Sequence, residues 1–320
     1  SSVPTCVPST VPSSVPSCTP TSVPTSVPTS VPSSTPSCVP SSIPTSVPSA
    51  RPSPFPSPYP TSSEIFFPMN LSPFLGKGFA VYGAPGEGIG ASVTCVGDVN
   101  GDKMTDFAVS APYAQNNLGV VYFIYGRAGG SPDVYLSSFN HKQGFALYGD
   151  MSGGAFGYAV CGVGDMNDDG VGDIAISAPY ANNGLGVVYV IFGVTGYRNN
   201  IYMAEFISPG QGFKISGVAM SGNTGYALSG VGDVNGDGVP DILLSAPYTA
   251  EARGRVYVIY GRADRSYRDI NLGNTTTAEC TVILGSAVKS RSGFTLANVG
   301  DVNGDGKPDF AIGEPQALTN

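Results

Sequence analysis

An all-β fold of repeated four-stranded blades, preceded by an extended proline-rich stalk, is what this sequence predicts. Three observations predict it. An acidic loop occurs four times, the copies recur at a nearly constant period, and proline falls at every fourth position from Pro4 to Pro60. Residues 1–60 therefore read as a stalk and residues 61–320 as a repeat array.

The loops read GDVNGDKMTDFAVSAPY (97–113), GDMNDDGVGDIAISAPY (164–180), GDVNGDGVPDILLSAPY (232–248) and GDVNGDGKPDFAIGEPQ (300–316). Each sets oxygen-bearing side chains at relative positions 1, 3, 5 and 9. These are Asp98, Asn100, Asp102 and Asp106; Asp165, Asn167, Asp169 and Asp173; Asp233, Asn235, Asp237 and Asp241; Asp301, Asn303, Asp305 and Asp309. Hard oxygens at alternate positions can wrap one calcium ion, which takes six to eight such ligands in flexible geometry. Up to four calcium ions are expected, in a structural role: they would neutralise clustered carboxylates and cross-link two strands. The formal net charge of −8 agrees, since four divalent cations would cancel it. A helix–loop–helix calcium site would need a bidentate acid at position 12. That position holds Val109, Ile176, Leu244 and Ile312, all apolar. A bare polar turn would not demand an aspartate at position 9 in every copy.

Asp98, Asp165, Asp233 and Asp301 recur every 67 or 68 residues. Self-similarity at a fixed period marks a modular array. Within a period, short runs such as DIAISAPY (173–180), GVVYVIFG (186–193) and GFKISG (212–217) are rich in β-branched and aromatic residues and bounded by Gly, Pro and Asn. They read as strands joined by turns. About four strands per period suits a propeller blade.

These residues resemble the FG-GAP repeats of integrin α-subunit β-propellers. The matching elements are Gly157-Tyr158, Gly225-Tyr226 and Gly293-Phe294 before the loops, the D-x-N-x-D-x-x-x-D loops, and the S-A-P or G-E-P that follows. The resemblance covers roughly residues 64–320. It implies calcium between the first two strands of each blade, with a backbone carbonyl at position 7 as a further ligand: Met104, Val171, Val239 and Lys307. The first loop departs from the others in carrying Lys103 where they have Gly, so a tight turn there is less comfortable.

The stalk repeats Ser/Thr, mostly Ser, mostly Val, then Pro, as in TSVPTSVPTSVP (21–32). Proline removes donors and restricts its predecessor, so neither helix nor sheet is available. Polyproline II remains, ~190 Å long at ~3.1 Å per residue. A four-residue period on a threefold helix turns each tetrad by about 120°, so no apolar stripe forms. Ser/Thr-rich sequence with Pro reads as an O-glycosylated stalk, with Thr21, Ser22, Thr25, Ser26, Thr29 and Ser30 as candidate acceptors. The tract also resembles the tails of hydroxyproline-rich surface glycoproteins. An ordered glycosylated or fibre-forming stalk is favoured over a plain linker.

Cys6, Cys18 and Cys38 lie in the stalk and are the disulfide candidates; Cys95, Cys161 and Cys280 lie in the repeats. Cys6 and Cys18 would stand ~37 Å apart on an extended chain, beyond the ~7 Å reach of a disulfide. They would pair with another chain or with the array. Cys95 and Cys161 fall on expected strands and read as free thiols. The N-glycosylation sequons at Asn70 and Asn274 lie 28 and 27 residues before Asp98 and Asp301, an equivalent loop position. Calcium loops, sequons and candidate disulfides point to an extracellular or cell-surface location. No membrane span is expected. The chain begins at Ser1, consistent with removal of a leader.

The array begins late in one blade and stops midway through another. Ring closure would place an N-terminal strand in the last blade, yet one strand would still be missing. A continuation beyond Asn320 is favoured over a small array or completion by another subunit.

Catalytic signals are sparse. His141 is the only histidine and sits in a polar loop; the paired carboxylates all belong to the acidic loops. An enzyme is not expected. With 15 Lys+Arg against 23 Asp+Glu, nucleic acid is not expected as a partner. Tyr82, Tyr113, Tyr122, Tyr180, Tyr189, Tyr248 and Tyr257 recur by repeat position and read as packing residues. Two function classes remain. The favoured one is a secreted calcium-stabilised structural glycoprotein that self-associates into a fibril, wall or flagellar hair. The alternative is an adhesion or recognition protein whose propeller head binds a surface glycan or protein ligand.

Overall fold

The computed structural model describes residues 78–129 and 132–317. They fall in the second of two units of the chain, Phe67–Asn320. The stalk, its O-glycosylation and disulfide candidates, and Asn70 lie outside the described residues.

β1 (Val81–Tyr82) precedes the first repeat, which runs β2 (Val93–Gly97), β3 (Asp106–Ala111), β4 (Val120–Ile124), β5 (Val134–Tyr135) and β6 (Gly144–Tyr148). The second has β7 (Val160–Gly164), β8 (Asp173–Ala178), β9 (Val187–Ile191), β10 (Ile201–Tyr202) and β11 (Gly212–Ser216). The third has β12 (Leu228–Gly232), β13 (Asp241–Ala246), β14 (Arg255–Ile259), β15 (Ile270–Asn271) and β16 (Cys280–Leu284). The fourth has β17 (Thr295–Gly300) and β18 (Asp309–Gly313).

Four strands of each full repeat form an antiparallel meander: β2-β3-β4-β6, β7-β8-β9-β11 and β12-β13-β14-β16. The fifth, two-residue strand does not join its own sheet. It pairs in parallel with the outermost strand of the preceding one: β5 with β1, β10 with β6, β15 with β11. Each repeat thereby hooks onto the one before it. Two residues carry no periodic signal, so the sequence reading of four strands missed this element.

Strands β4 and β9 are apolar and buried throughout because both faces of the sheet are covered. In β9, Val187, Tyr189 and Ile191 face the first sheet's Val121, Phe123 and Phe145. Val188 and Val190 face the third sheet's Ile242, Leu244 and Tyr257. Period-two alternation thus splits one hydrophobic run between two cores, each sandwiched between neighbouring sheets. Full burial of a side chain of this size contributes ~1.5–3 kcal/mol.

First strands β2, β7, β12 and β17 pack against one another in sequence order. They approach closely. A Cβ on Gly162 would lie 2.7 Å from the Val96 carbonyl oxygen, and one on Gly230 would lie 2.1 Å from that of Gly162. The fourth repeat has Asn298 here, whose Nδ2 donates to the Gly230 oxygen at 3.3 Å. Among the described residues the ring is not closed. β1 pairs only with β5, and β18 only with β17, so β1 does not complete the last sheet.

Candidate metal loops and an aromatic row

In every repeat a β-bulge precedes the acidic loop. Register shifts between Cys95/Gly97, Gly162/Gly164, Gly230/Gly232 and Asn298/Gly300. The closing glycine lies at positive φ, from 70° to 81°, which glycine adopts without steric cost. The bulge bends the strand end and delivers the position-1 aspartate to the loop. The four loops lie between the first two strands of their repeats, where the sequence placed them.

Position 1 accepts backbone N–H groups from its own loop. Asp98 Oδ1 takes those of Gly101 (2.7 Å) and Asp102 (3.1 Å), and Oδ2 takes that of Lys103 (2.7 Å). Asp233 repeats this with Gly236 (2.6 Å), Asp237 (3.0 Å) and Gly238 (2.7 Å). Asp301 does so with Gly304, Asp305 and Gly306. Asp165 uses Asp169 and Gly170. The Gly306 N–H leads the groups that hold Asp301 below the usual carboxylate range. Burial pushes Asp233 upward, but the N–H groups of Gly238, Gly236 and Asp237, with the Lys307 charge, bring it below that range. Lys307 reaches out of the fourth loop, and its Nζ donates to the Asn235 carbonyl of the third at 2.7 Å.

The winding requires left-handed backbone at positions 4 and 6. Lys103 has φ 68° and Asp168 φ 65°, where the other loops have glycine. Lys103 was singled out from the sequence; Asp168 was legible by the same comparison and missed.

Position 9 does something the sequence did not reveal. Asp106, Asp173 and Asp241 begin the second strand and are fully buried. Each carboxylate bridges two backbone segments. Oδ2 accepts the position-2 N–H: Val99 at 2.9 Å, Met166 at 2.7 Å, Val234 at 2.9 Å. Oδ1 accepts an N–H beyond the third strand: Gly126 at 2.7 Å, Gly193 at 2.8 Å, Gly261 at 2.8 Å. Burial raises these acids to about 6, 7 and 6, against the pull of those N–H donors. In the fourth repeat Asp309 is only half-buried, with Oδ2 accepting from Val302 at 2.9 Å.

Among the described residues, no three His, Cys, Asp or Glu side chains converge into a group that would hold a metal. The loop donors are carboxylate, amide and carbonyl oxygens, a set whose hardness fits calcium rather than a soft metal. Carboxylate oxygens that accept one N–H keep further lone-pair capacity. Position 7 divides. Val171 and Val239 are buried, Met104 is partly so, and Lys307 is exposed.

At the opposite ends of the same strands lies an aromatic row. Tyr158 meets Tyr180 edge-on at 5.6 Å and Tyr226 at 5.2 Å; Tyr226 meets Tyr248 at 5.7 Å and Phe294 at 5.1 Å. Arg291 lies over the Tyr248 ring at 5.4 Å. Each S-A-P-Y corner here makes a left-handed turn, with Gln115, Asn116 and Asn117, or Ala250, Glu251 and Ala252, at positive φ. The recurrent tyrosines therefore divide. Tyr122, Tyr189 and Tyr257 are packing residues as expected, whereas Tyr82, Tyr113 and Tyr180 are exposed.

Cys95 is exposed on β2; Cys161 and Cys280 are buried, and all three thiols are free. Burial pushes Cys161 up to about 12 and Cys280 to about 11, so both are inert as thiolates. Asn274 is exposed in the turn after β15, and the sequon's Thr276 hydroxyl bonds Glu279 at 3.1 Å. His141 is exposed, with Tyr197 edge-on at 5.9 Å. No helix among the described residues is long and apolar enough to cross a membrane.

Residues 90–124, 156–191, 224–259 and 292–320 match the FG-GAP repeat family. Integrin alpha-PS2 of Drosophila melanogaster is 27% identical over 226 residues, 68% of this chain and 14% of that protein. Integrin alpha-V of Gallus gallus is 28% identical over 239 residues, 70% of this chain and 20% of that protein. Phosphatidylinositol-glycan-specific phospholipase D of Bos taurus is 32% identical over 183 residues, 54% of this chain and 20% of that protein. The chain thus spans 14–20% of the length of these relatives. Over these four segments the chain is similar to FG-GAP repeats, and more broadly to integrin alpha chains.

Proposed function

We propose that this chain is an extracellular adhesion or recognition module, stiffened by calcium in its acidic loops, whose aromatic row is the ligand-facing surface. The observation that carries the reading is the two-ended design of each repeat. One end of every sheet holds a charged loop rich in hard oxygens. The other end presents adjoining tyrosines on strained, left-handed corners, which a rigid sheet holds in place. Similarity to integrin alpha chains supports this reading.

Asp98, Asp102, Asn100 and their counterparts are the residues that would hold the cations. When bound, calcium supplies positive charge that relieves repulsion between the loop carboxylates. The chain's own contribution is orientation: the bulge aims position 1, and the buried position-9 acid ties the loop base to the third strand.

The fibril reading drew its weight from the stalk, which lies outside the described residues. The recognition reading rests on geometry within them. Beads coated with the chain test it, applied to the surface of its source cells in calcium or in a chelator. Attachment should need calcium and should fall at least tenfold in the Tyr180→Ala, Tyr248→Ala double variant. Equal attachment by wild type and variant would remove the aromatic row from the proposal.

A further inference from the structure

The joints between repeats are narrow at their outer rim. Each parallel ladder there is two residues long, and in two of the three the second pair is tyrosine on tyrosine. Tyr82 faces Tyr135, and Tyr202 faces Tyr148. The rings stack with centroids 4.9 Å apart at 15°, and 4.8 Å apart at 14°. In the third ladder Ser216 faces Asn271. Three of the four rings are exposed, and Tyr148 is half-buried against the core of the first repeat. Tyr82 is 44% exposed, and Tyr135 and Tyr202 are each 52% exposed. Tyr82 and Tyr135 also wall a surface cavity of about 210 Å³, shared with Glu87 and Tyr122.

Two features set these pairs apart from exposed tyrosines in general. In-register parallel pairing holds both rings on one side of the ladder, so neither needs to diffuse to meet the other. Near-parallel rings at this separation also bring their edge carbons into van der Waals range. A reaction that needs two phenols at once gains a large effective concentration from such an arrangement. The outer rim is also where a covalent link would matter most, because the ladder alone supplies few hydrogen bonds.

We infer that Tyr82–Tyr135 and Tyr148–Tyr202 are sites of oxidative dityrosine cross-linking, which staples the outer edges of successive repeats. The oxidant class is a haem peroxidase with hydrogen peroxide. Each phenol gives up one electron and one proton. The two radicals join through a new carbon–carbon bond between ring positions ortho to the hydroxyls. The hydrogen on each joined carbon then moves to oxygen as the rings regain aromaticity. One hydrogen peroxide is reduced to two waters, which balances the two electrons and two protons removed. The third joint, with Ser216 and Asn271, stays unlinked.

The test treats dilute chain with peroxidase and hydrogen peroxide, isolates the monomer, and reads dityrosine fluorescence and cross-linked peptides by mass spectrometry. Links at both pairs are expected within the monomer. Tyr135→Phe and Tyr202→Phe should each remove one link, halve the fluorescence and leave the untreated melting temperature unchanged, since the stack survives. The double variant should lose the signal. Tyr113, 53% exposed, and Tyr197, 65% exposed with the buried Tyr125 ring tilted against it at 6.1 Å, serve as controls that lack a stacked partner among the described residues. Dityrosine confined to dimers, equal labelling at Tyr197 or Tyr113, or a signal that persists in the double variant would overturn the inference.

Discussion

Asp173→Asn should destabilise the metal-free protein through the backbone, independently of any cation. The wild-type carboxylate accepts from Met166 N–H at 2.7 Å and from Gly193 N–H at 2.8 Å, and the residue has 0% exposure. An amide has one acceptor oxygen, so one of those N–H groups would face an NH2 group instead. A buried donor without a partner costs ~1–3 kcal/mol. The donor–donor contact adds to this, and relief of the burial penalty on the acid subtracts. The expected net loss is about 2 kcal/mol, or a fall in melting temperature of ~4–8 °C for a domain of this size. Asp309→Asn is the control. Asp309 is half-buried, and only Val302 N–H bonds it closely. Water can replace what that substitution removes, so its cost should stay under ~1 kcal/mol. Thermal unfolding followed by circular dichroism in a chelator reads both. Equal shifts for the two variants, or no shift for Asp173→Asn without metal, would refute the clamp and leave position 9 only a cation ligand.

Further outcomes follow from the same geometry. Gly230→Ala should cost ~1–3 kcal/mol by overpacking, because the added Cβ meets the Gly162 oxygen at 2.1 Å; urea midpoints would show it, and an unchanged midpoint would mean the first strands are not closely apposed. Lys307→Met should raise calcium affinity at the third loop by roughly tenfold or less, since a surface charge at contact is worth ~1 kcal/mol per unit opposite or like charge. Calorimetric titration with Asp237→Ala as reference would identify that loop, and unchanged affinity would exclude the lysine from it. In a chelator, stability should decline as pH rises from about 4 to about 7, because Asp106, Asp173 and Asp241 keep their protons to about 6, 7 and 6 when folded but release them near 3.8 when unfolded. The folded state binds the extra protons in that window, so raising pH favours unfolding. A steady gain in stability over the same interval would contradict the burial of these acids.

Much of the local architecture was legible in the residues. The 67–68-residue period and the glycine-bounded apolar runs placed β3, β8, β13 and β18 directly after the acidic loops, and the structure has them there. Apolar Val109, Ile176, Leu244 and Ile312 lie within those strands, as strand residues should. The hooks β5, β10 and β15 were not legible, because two residues pairing with a different repeat leave no periodic trace. Nor was the division of the tyrosines: Tyr189 and Tyr180 look alike in a repeat alignment, yet one is enclosed between sheets and the other sits on an open corner.

Sequence by itself determined where the oxygen-bearing side chains cluster and how the chain divides into repeats, since both depend on local spacing and on residues whose backbone preferences are intrinsic. Tertiary structure alone decided that the position-9 acid is a buried clamp, that Lys307 reaches into the neighbouring loop, and that Tyr82 and Tyr148 face tyrosines more than 50 residues away. Those facts join groups from separate strands or repeats. Their energies depend on exclusion of water and on inter-repeat register, and neither exists until the sheets have packed.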